Sequence, residues 1–368
     1  MLAETVNLQA CIQCGRCSGA CPVAIKSNLN VRRLINYSLD KALKISELTE
    51  LGVWECTACS ACNERCPKDV KPANLITRLR SQLVEKGRIP TTIQAALEST
   101  YLHGNPWGRP REKRLEWAKD LNLNILAPGA KTDVLLFVCC TNCYDERCQK
   151  SARALVKLLR TAGVEFGVLG EAETCCCSEQ RRMGEQGLFE EIAESNTKIF
   201  RSRNCRRIVT TSPHCFNVFL NDYPDLNLPV FHYTQLLAEL FDQGRLKFTS
   251  QIKETITYHD PCFLGKQNKV FEEPRRLLKA VSRDFIEFER NRELSMCCEG
   301  GGGRMWIESE SQGRLSEIRV RDAIDMHASV IATACPFCCL TLEDAVKTTN
   351  SEDKICIKDI AELLVAAL

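Results

Sequence analysis

A chain of 368 residues with 44% apolar content holds enough material for two or three domains with cores of their own. Its 49 Lys and Arg against 47 Asp and Glu leave a net charge of +2, which argues against a nucleic-acid binder held by phosphate neutralisation. Cysteine is the outlier at 24 residues, in a chain whose longest purely apolar run, Val134–Cys140, is too short to cross a bilayer. Met1–Ala10 lacks the basic start and apolar stretch of a secretory leader. A disulfide scaffold goes with short secreted chains, so reduced thiols in the cytoplasm, many of them holding metal, is the better reading.

Residues 1–90 carry two runs of one spacing, Cys11-x2-Cys14-x2-Cys17-x3-Cys21-Pro22 and Cys56-x2-Cys59-x2-Cys62-x3-Cys66-Pro67. Between them Val31, Leu34, Ile35 and Leu39 fall at helical spacing behind Asn30, a suitable N-cap. After them Pro72 is placed to open a helix striped by Leu75, Ile76, Leu79 and Leu83 and closed by Gly87. The section reads as mostly helical. Its cysteine spacing is the one that wraps a 4Fe–4S cube: three thiolates on a tight loop hold three irons, and the fourth Cys of each run reaches the other cluster. This rule assigns Cys11, Cys14, Cys17 and Cys66 to one cubane cluster, and Cys56, Cys59, Cys62 and Cys21 to the other. Zinc sites use paired ligands rather than triplets with a crossing fourth, so zinc is the weaker reading. The section resembles the helical two-cluster ferredoxin module of succinate dehydrogenase and heterodisulfide reductase iron–sulfur subunits.

Residues 91–131 read as a connector. Gly104-Asn105-Pro106-Trp107-Gly108 is a turn signal, and the charged run Arg109–Arg114 reads as a solvated face.

From 132 onward the chain repeats itself, over 132–245 and again over 250–368. In the first copy strands are expected at Asp133–Val138, Val164–Leu169 and Ile208–Thr211, with a helix over Ala152–Ala162. In the second they are expected at Thr255–Tyr258, Phe285–Phe288 and Val330–Thr333, with a helix opened by Pro274. Val230–Leu240 matches Ile355–Leu364. Strands alternating with helices imply βαβ units and a parallel sheet in each copy, so the fold class is an α module followed by two α/β domains. In such sheets ligands sit beyond the carboxyl ends of the strands, where the cysteines of both copies fall.

The second copy reads Cys262-x34-Cys297-Cys298-x36-Cys335-x2-Cys338, five thiolates where a cube needs four. With His259-Asp260-Pro261-Cys262 and Ala334-Cys335-Pro336-Phe337-Cys338, it resembles the cysteine-rich CCG domain of heterodisulfide reductases and of iron–sulfur subunits that serve glycolate, lactate and acyl-CoA oxidation. In that family five such cysteines can hold an open, non-cubane 4Fe–4S cluster whose irons accept a substrate sulfur; by this resemblance the five are both ligands and catalytic residues. Glu299 stands where that family usually has Gly. Gly300, Gly301, Gly302 and Gly303 let backbone N–H groups turn toward an anionic cluster, with a flexible loop as the plainer alternative, and Arg304 can add positive charge. His259 can give a proton to a leaving thiolate or simply brace a neighbouring loop.

Aligned on the second copy, the first offers Cys140, Cys175, Cys176 and Cys215, with Ser212 in the place of Cys335. Four thiolates suffice for an ordinary 4Fe–4S cube. Cys143 or Cys177 can supply a fifth, and zinc or no metal stays open. Cys139 lies nearby, and Cys339 is either packing or a reserve ligand. Cys148, Cys205 and Cys356 read as small buried apolar residues. His214 has the same standing as His259, His232 lies in a family-like segment, and His103 and His327 read as structural.

Taken whole, the chain resembles the D-type iron–sulfur subunits of heterodisulfide reductases and, still more, the soluble part of electron-transfer-flavoprotein-linked iron–sulfur oxidoreductases. Gly104–Gly108, Pro213-His214-Cys215-Phe216-Asn217 and Val320–Cys338 through Lys358–Leu364 carry that match. The resemblance implies an electron-transfer subunit relaying electrons between a flavoprotein and a quinone or other carrier. The alternative it implies is a heterodisulfide reductase acting at the five-Cys cluster. No Gly-x-Gly-x-x-Gly follows a strand, so flavin is expected on a partner subunit or an electron-transferring flavoprotein. The location expected is cytoplasmic, with any quinone or membrane contact made by a separate membrane subunit.

Overall fold

The computed structural model describes residues 6–40, 44–308 and 313–368, so the first half of the Met1–Ala10 segment lies outside the described residues. The amino-terminal module is short helices around two cysteine loops. Its helix Val31–Leu39 starts at Asn30, whose side chain accepts from Arg33 N at 3.0 Å, and buries Val31, Leu34 and Ile35. Helix Pro72–Glu85 has its proline in the first turn and buries Leu75, Ile76, Leu79 and Leu83. Gly87, at φ +64°, ends it, with Arg88 N donating to Leu83 O at 2.8 Å.

The connector is more structured than its sequence suggested. Thr91–His103 is a helix that buries Ile93, Ala96, Leu97 and Thr100, a helical stripe diluted by threonine and alanine. The charged run mostly faces solvent, but Arg114 is buried inside the 3-10 helix Arg111–Ala118. It is held there by Glu173 and by Val138 O, at 2.8 Å from its Nη2.

Each repeat forms a four-stranded, wholly parallel sheet. The strands are β1 (Lys131–Phe137), β2 (Phe166–Gly167), β3 (Asn204–Thr210) and β4 (Val230–His232), then β5 (Ile256–Tyr258), β6 (Phe285–Ile286), β7 (Val330–Thr333) and β8 (Cys356–Asp359). The orders are β2-β1-β3-β4 and β6-β5-β7-β8. In both, the chain runs outward from the first strand and returns to its other side, which makes the gap between the first and third strands the topological switch point. β2 and β6 are shorter than expected, two residues each. The helix expected over Ala152–Ala162 begins at Glu146, because Asp145 caps it by accepting from Cys148 N at 2.9 Å. The helix expected at Pro274 begins two residues earlier, at Glu272.

The two sheets share one apolar core, in which Val134, Phe137 and Val209 join Tyr258, Leu277, Val330 and Leu364. The packing is reciprocal. Helix Tyr233–Asp242 of the first copy lies against Glu272–Val281 of the second, and Ile360–Ala366 of the second lies against Glu146–Thr161 of the first. A separate core joins the amino-terminal module to Cys262, Phe263, Met296 and Cys297 of the second copy. Met183 of the first copy joins the same core, so the module packs against both copies.

Candidate iron–sulfur centres

In the amino-terminal module, one small cavity is walled by Cys11, Cys14, Cys17 and Cys66 and another by Cys21, Cys56, Cys59 and Cys62. The two groupings coincide with the crossed sets read from spacing. The loops repeat in conformation too. Gln13 and Gly15 in the first, and Ala58 and Ser60 in the second, adopt positive φ, which turns successive N–H groups to one side. Ala58 N donates to Cys56 Sγ at 3.4 Å and Val70 N to Cys66 Sγ at 3.3 Å. Burial, then the neighbouring Cys56 and Cys59, push the Cys21 thiol up to about 12. Crowded thiols of this kind ionise together only beside a compensating cation, so the donor set fits a 4Fe–4S group.

The cysteines of both repeats gather at the carboxyl ends of their strands. In the second, Cys262 follows β5, Cys297 and Cys298 follow β6, and Cys335 and Cys338 follow β7; all five are buried. Cys298 and Cys338 lie 3.2 Å apart, sulfur to sulfur, and His259 shares their cluster. Cys297 hydrogen-bonds both Cys262 and Cys59 of the module, and its sulfur is 3.4 Å from Thr57 Oγ1. Glu299 N donates to Cys297 Sγ at 3.3 Å, and Gly300 N to Cys298. Bonds from Cys297, Cys338 and Gly300 hold Cys298 well below the usual thiol range. Burial, with Arg319 adding positive charge, pushes His259 down to about 3, which keeps its imidazole neutral.

The glycine run proves to be a contact surface as much as a loop. A Cβ on Gly301 would meet Thr57 O at 2.8 Å, and one on Gly302 would meet Cys56 O at 2.5 Å. Of the four glycines, Gly300 N bonds a cysteine; Gly303 N donates instead to Glu179 Oε2 at 2.8 Å. Arg304 pairs with Glu55 at 3.2 Å and Glu299 at 3.5 Å. Glu299 takes the left-handed conformation, φ +73°, that Gly would adopt without strain, and a buried contact to Lys26 at 2.6 Å holds it there.

In the first repeat Cys140, Cys175, Cys176 and Cys215 converge, and Cys139 joins them. Cys139 and Cys176 both hydrogen-bond Cys215, while Cys140 bonds Cys175. Cys177 also reaches Cys175, and Cys143 turns its thiol to Val138 O at 3.5 Å. Arg114 Nη1 lies 3.5 Å from Cys140 Sγ, a positive charge that the charged-run reading overlooked. Cys148 and Cys205 are buried as expected, but Cys356 is exposed, since it occupies a solvent-facing position of β8. Cys339 packs beside Cys338 in a third apolar core, formed within the second repeat. His103 and His327 are exposed. His232 is the N-cap of helix Tyr233–Asp242, in a capping box with Gln235.

Three residues tie the parts together, of which the sequence marked only His214. Arg80 is buried and donates to Cys56 O at 2.7 Å, Gly302 O at 2.9 Å and Arg182 O at 2.9 Å, touching the module and both repeats at once. Lys266, buried beside the Cys59–Cys262 contact, donates to Ser295 Oγ at 2.6 Å. His214, carried by the first repeat, crosses to the second. Its Nδ1 is 2.8 Å from Glu179 Oε1, its ring stacks on Phe263 at 4.1 Å, and it hydrogen-bonds Cys335. Burial alone would lower its pKa, but Cys335 and Glu179 raise it to about 10.

Two families match the chain: the "4Fe-4S dicluster domain" over residues 7–70 and the "Cysteine-rich domain" over 134–219 and 256–343. The D subunit of the heterodisulfide reductase of Methanosarcina barkeri is 30% identical, across 99% of this chain and 95% of that protein. The chain belongs to this family of CCG-domain iron–sulfur oxidoreductases. The Bacillus subtilis relative "Probable iron-sulfur-binding oxidoreductase FadF" is 32% identical over all of this chain, and the EtfAB:quinone oxidoreductase of Syntrophomonas wolfei 31% over 99% of it. The chain spans 60% and 59% of their lengths. A Chromohalobacter salexigens relative is named a membrane-anchored ferredoxin; among the described residues here no helix is long and apolar enough to cross a membrane. A hypothetical protein from Helicobacter pylori shares the fold, with a TM-score of 0.51 at 10% identity over 92% of this chain and 66% of that one. For a member of this family, iron–sulfur groups and electron transfer account for the gathered sulfurs.

Proposed function

We propose that this chain is the electron-relaying iron–sulfur subunit of a flavin-linked oxidoreductase, passing single electrons between a flavoprotein and a quinone or other carrier. In this reading Cys11, Cys14, Cys17 and Cys66 hold one 4Fe–4S cube and Cys56, Cys59, Cys62 and Cys21 another. Cys262, Cys297, Cys298, Cys335 and Cys338 hold a non-cubane 4Fe–4S group, and Cys140, Cys175, Cys176 and Cys215 hold a fourth. Such groups, when bound, supply reversible one-electron capacity at potentials set by charge, hydrogen bonds and burial. The residues of the chain do the setting. The sheet ends bury the sulfurs, N–H groups of Ala58, Val70, Glu299 and Gly300 donate to cysteine sulfur, and Arg114 and Lys266 place positive charge beside it. The observation that carries the reading is the Cys59–Cys297–Cys262 contact, which joins the module to the second repeat through sulfur alone. The names of the relatives, which include an EtfAB:quinone oxidoreductase, agree with a flavoprotein partner and a quinone. The quinone contact then belongs to a membrane subunit or segment other than the residues described.

A second reading, a thiol–disulfide reductase, rests on a cleft of about 860 Å³ that reaches Cys298 and is lined by Arg304, Met305 and Trp306. One anaerobic preparation tests both. We expect about sixteen irons per chain, four per group, with little zinc and several paramagnetic species after dithionite. About half that iron would remove both repeats from the relay. Reduction by an electron-transferring flavoprotein supports the relay; viologen-driven cleavage of a heterodisulfide, lost in Cys262→Ala, would replace it with the reductase.

A further inference from the structure

The cysteines assigned to the relay are buried or half-buried with one exception, Cys14, which is exposed. An electron exchanged with another protein crosses most readily where a sulfur reaches the surface, so the face around Cys14 is the point of exchange. Beside it Ile12 is 58% exposed, an apolar centre that nothing in the chain covers among the described residues. Arg32 and Lys68 stand with Ile12 and Cys14 around the same opening. The Arg32 stem lies over Gly15, its Cδ 3.8 Å from where a Cβ would sit, and Arg16 is exposed on the following turn.

None of these three cations has a carboxylate within ion-pair reach among the described residues. The acids of the same stretch are occupied: Asp69 pairs with Lys71 at 2.6 Å, and Glu64 pairs with Lys269. In a chain whose net charge is only +2, this is a local excess of positive charge around an apolar centre. An apolar middle with a charged rim suits a transient encounter, in which the rim sets partner sign and on-rate more than final affinity.

We infer that the face around Cys14, Ile12, Arg16, Arg32 and Lys68 docks an acidic one-electron carrier protein. The inference rests on the relay reading and adds to it the port and the charge of the partner. In the exchange the reduced carrier loses one electron and is oxidised, the module gains that electron, and no bond or proton moves.

The test uses the full iron-loaded chain and, as probe, a reduced plant-type ferredoxin, an acidic carrier, in stopped flow. Transfer should slow at least about tenfold between low and high salt, as for electrostatically steered pairs. Arg32→Glu/Lys68→Glu should slow it about tenfold at low salt and abolish the salt dependence. The same variant should react faster with cytochrome c, a basic carrier. Iron content and photoreduction by a small uncharged donor should stay unchanged in the variant. Equal rates for variant and native chain, or variant-sensitive binding to anionic phospholipid vesicles in place of ferredoxin, would overturn the docking proposal. Missing iron, or failure of the small donor to reduce the native chain, would sink the relay reading instead.

Discussion

The two repeats have the same strand order and the same placement of cysteine after strands, yet their sites differ in residues and in surroundings. At the start of the helix that follows the third strand, the first repeat has Ser212-Pro213-His214-Cys215 and the second has Cys335-Pro336-Phe337-Cys338. Ser212 caps its helix by accepting from His214 N at 3.3 Å, whereas Cys335 makes no such cap and turns to the other sulfurs. His214 and Phe337 hold equivalent positions, and their rings meet across the interface at 4.7 Å. Because the packing is reciprocal, each repeat presents this residue toward the other. The first presents a hydrogen-bonding imidazole to Cys335; the second returns a phenyl ring. The equivalent positions thus differ by Ser against Cys and His against Phe, and the second site takes a hydrogen bond from the first repeat. The surroundings diverge accordingly. The first site is closed by the buried Arg114–Glu173 pair, while the second opens through Cys298 to a cleft.

Breaking one site at a time should have the largest effect. Cys298→Ala and Cys176→Ala occupy matching positions, and each should lower the iron content by about four per chain if both repeats hold a 4Fe–4S group. Iron loss in Cys298→Ala alone would leave the first repeat as a scaffold that only lends His214. Paramagnetic resonance on the two variants should assign the missing species to one repeat.

The closed state of the first site predicts the next effect. Arg114→Met leaves Glu173 buried and unpaired, which should cost about 3–5 kcal/mol in denaturant unfolding. Adding Glu173→Gln should recover most of that loss, because the stranded charge is then gone. A double variant as unstable as the single one would mean that Arg114 acts through Cys140 and Val138 rather than through Glu173.

Much of this was legible because metal-binding sulfur leaves a spacing that packing does not. The paired runs in the module predicted two four-cysteine groupings, and the structure gathers the same residues. The strand-then-cysteine rhythm predicted two parallel sheets with sulfur at their carboxyl ends. What the sequence hid was long-range. Arg80, Lys266 and Arg114 look like ordinary surface cations until the fold closes over them, since no local pattern records a partner tens or hundreds of residues away. His214 was visible as a histidine beside a ligand cysteine, but the site it serves lies in the other repeat. The helix Thr91–His103 escaped because its apolar stripe is built partly from Ala96 and Thr100, and β2 and β6 were over-read because Val168 leaves the sheet to bridge Ile125 of the connector while Phe288 packs in the core without pairing.

The smallest effect is also the sharpest on the comparison, because it sets Ser212 against Cys335 directly. Ser212→Ala removes one hydrogen bond to an otherwise orphaned N–H at a helix start, which should cost about 1 kcal/mol and leave the iron count unchanged. Cys335→Ala removes no cap, so its loss should fall on iron and not on the helix. Iron analysis and thermal unfolding on the same two samples separate these outcomes. If Ser212→Ala also sheds iron, the serine is itself near enough to a metal to act as an oxygen ligand, and the first repeat holds its group by four sulfurs and a hydroxyl. If instead both variants lose only stability, Cys335 is packing, and His214 reaches across the interface to brace a wall rather than to donate a hydrogen bond to a ligand.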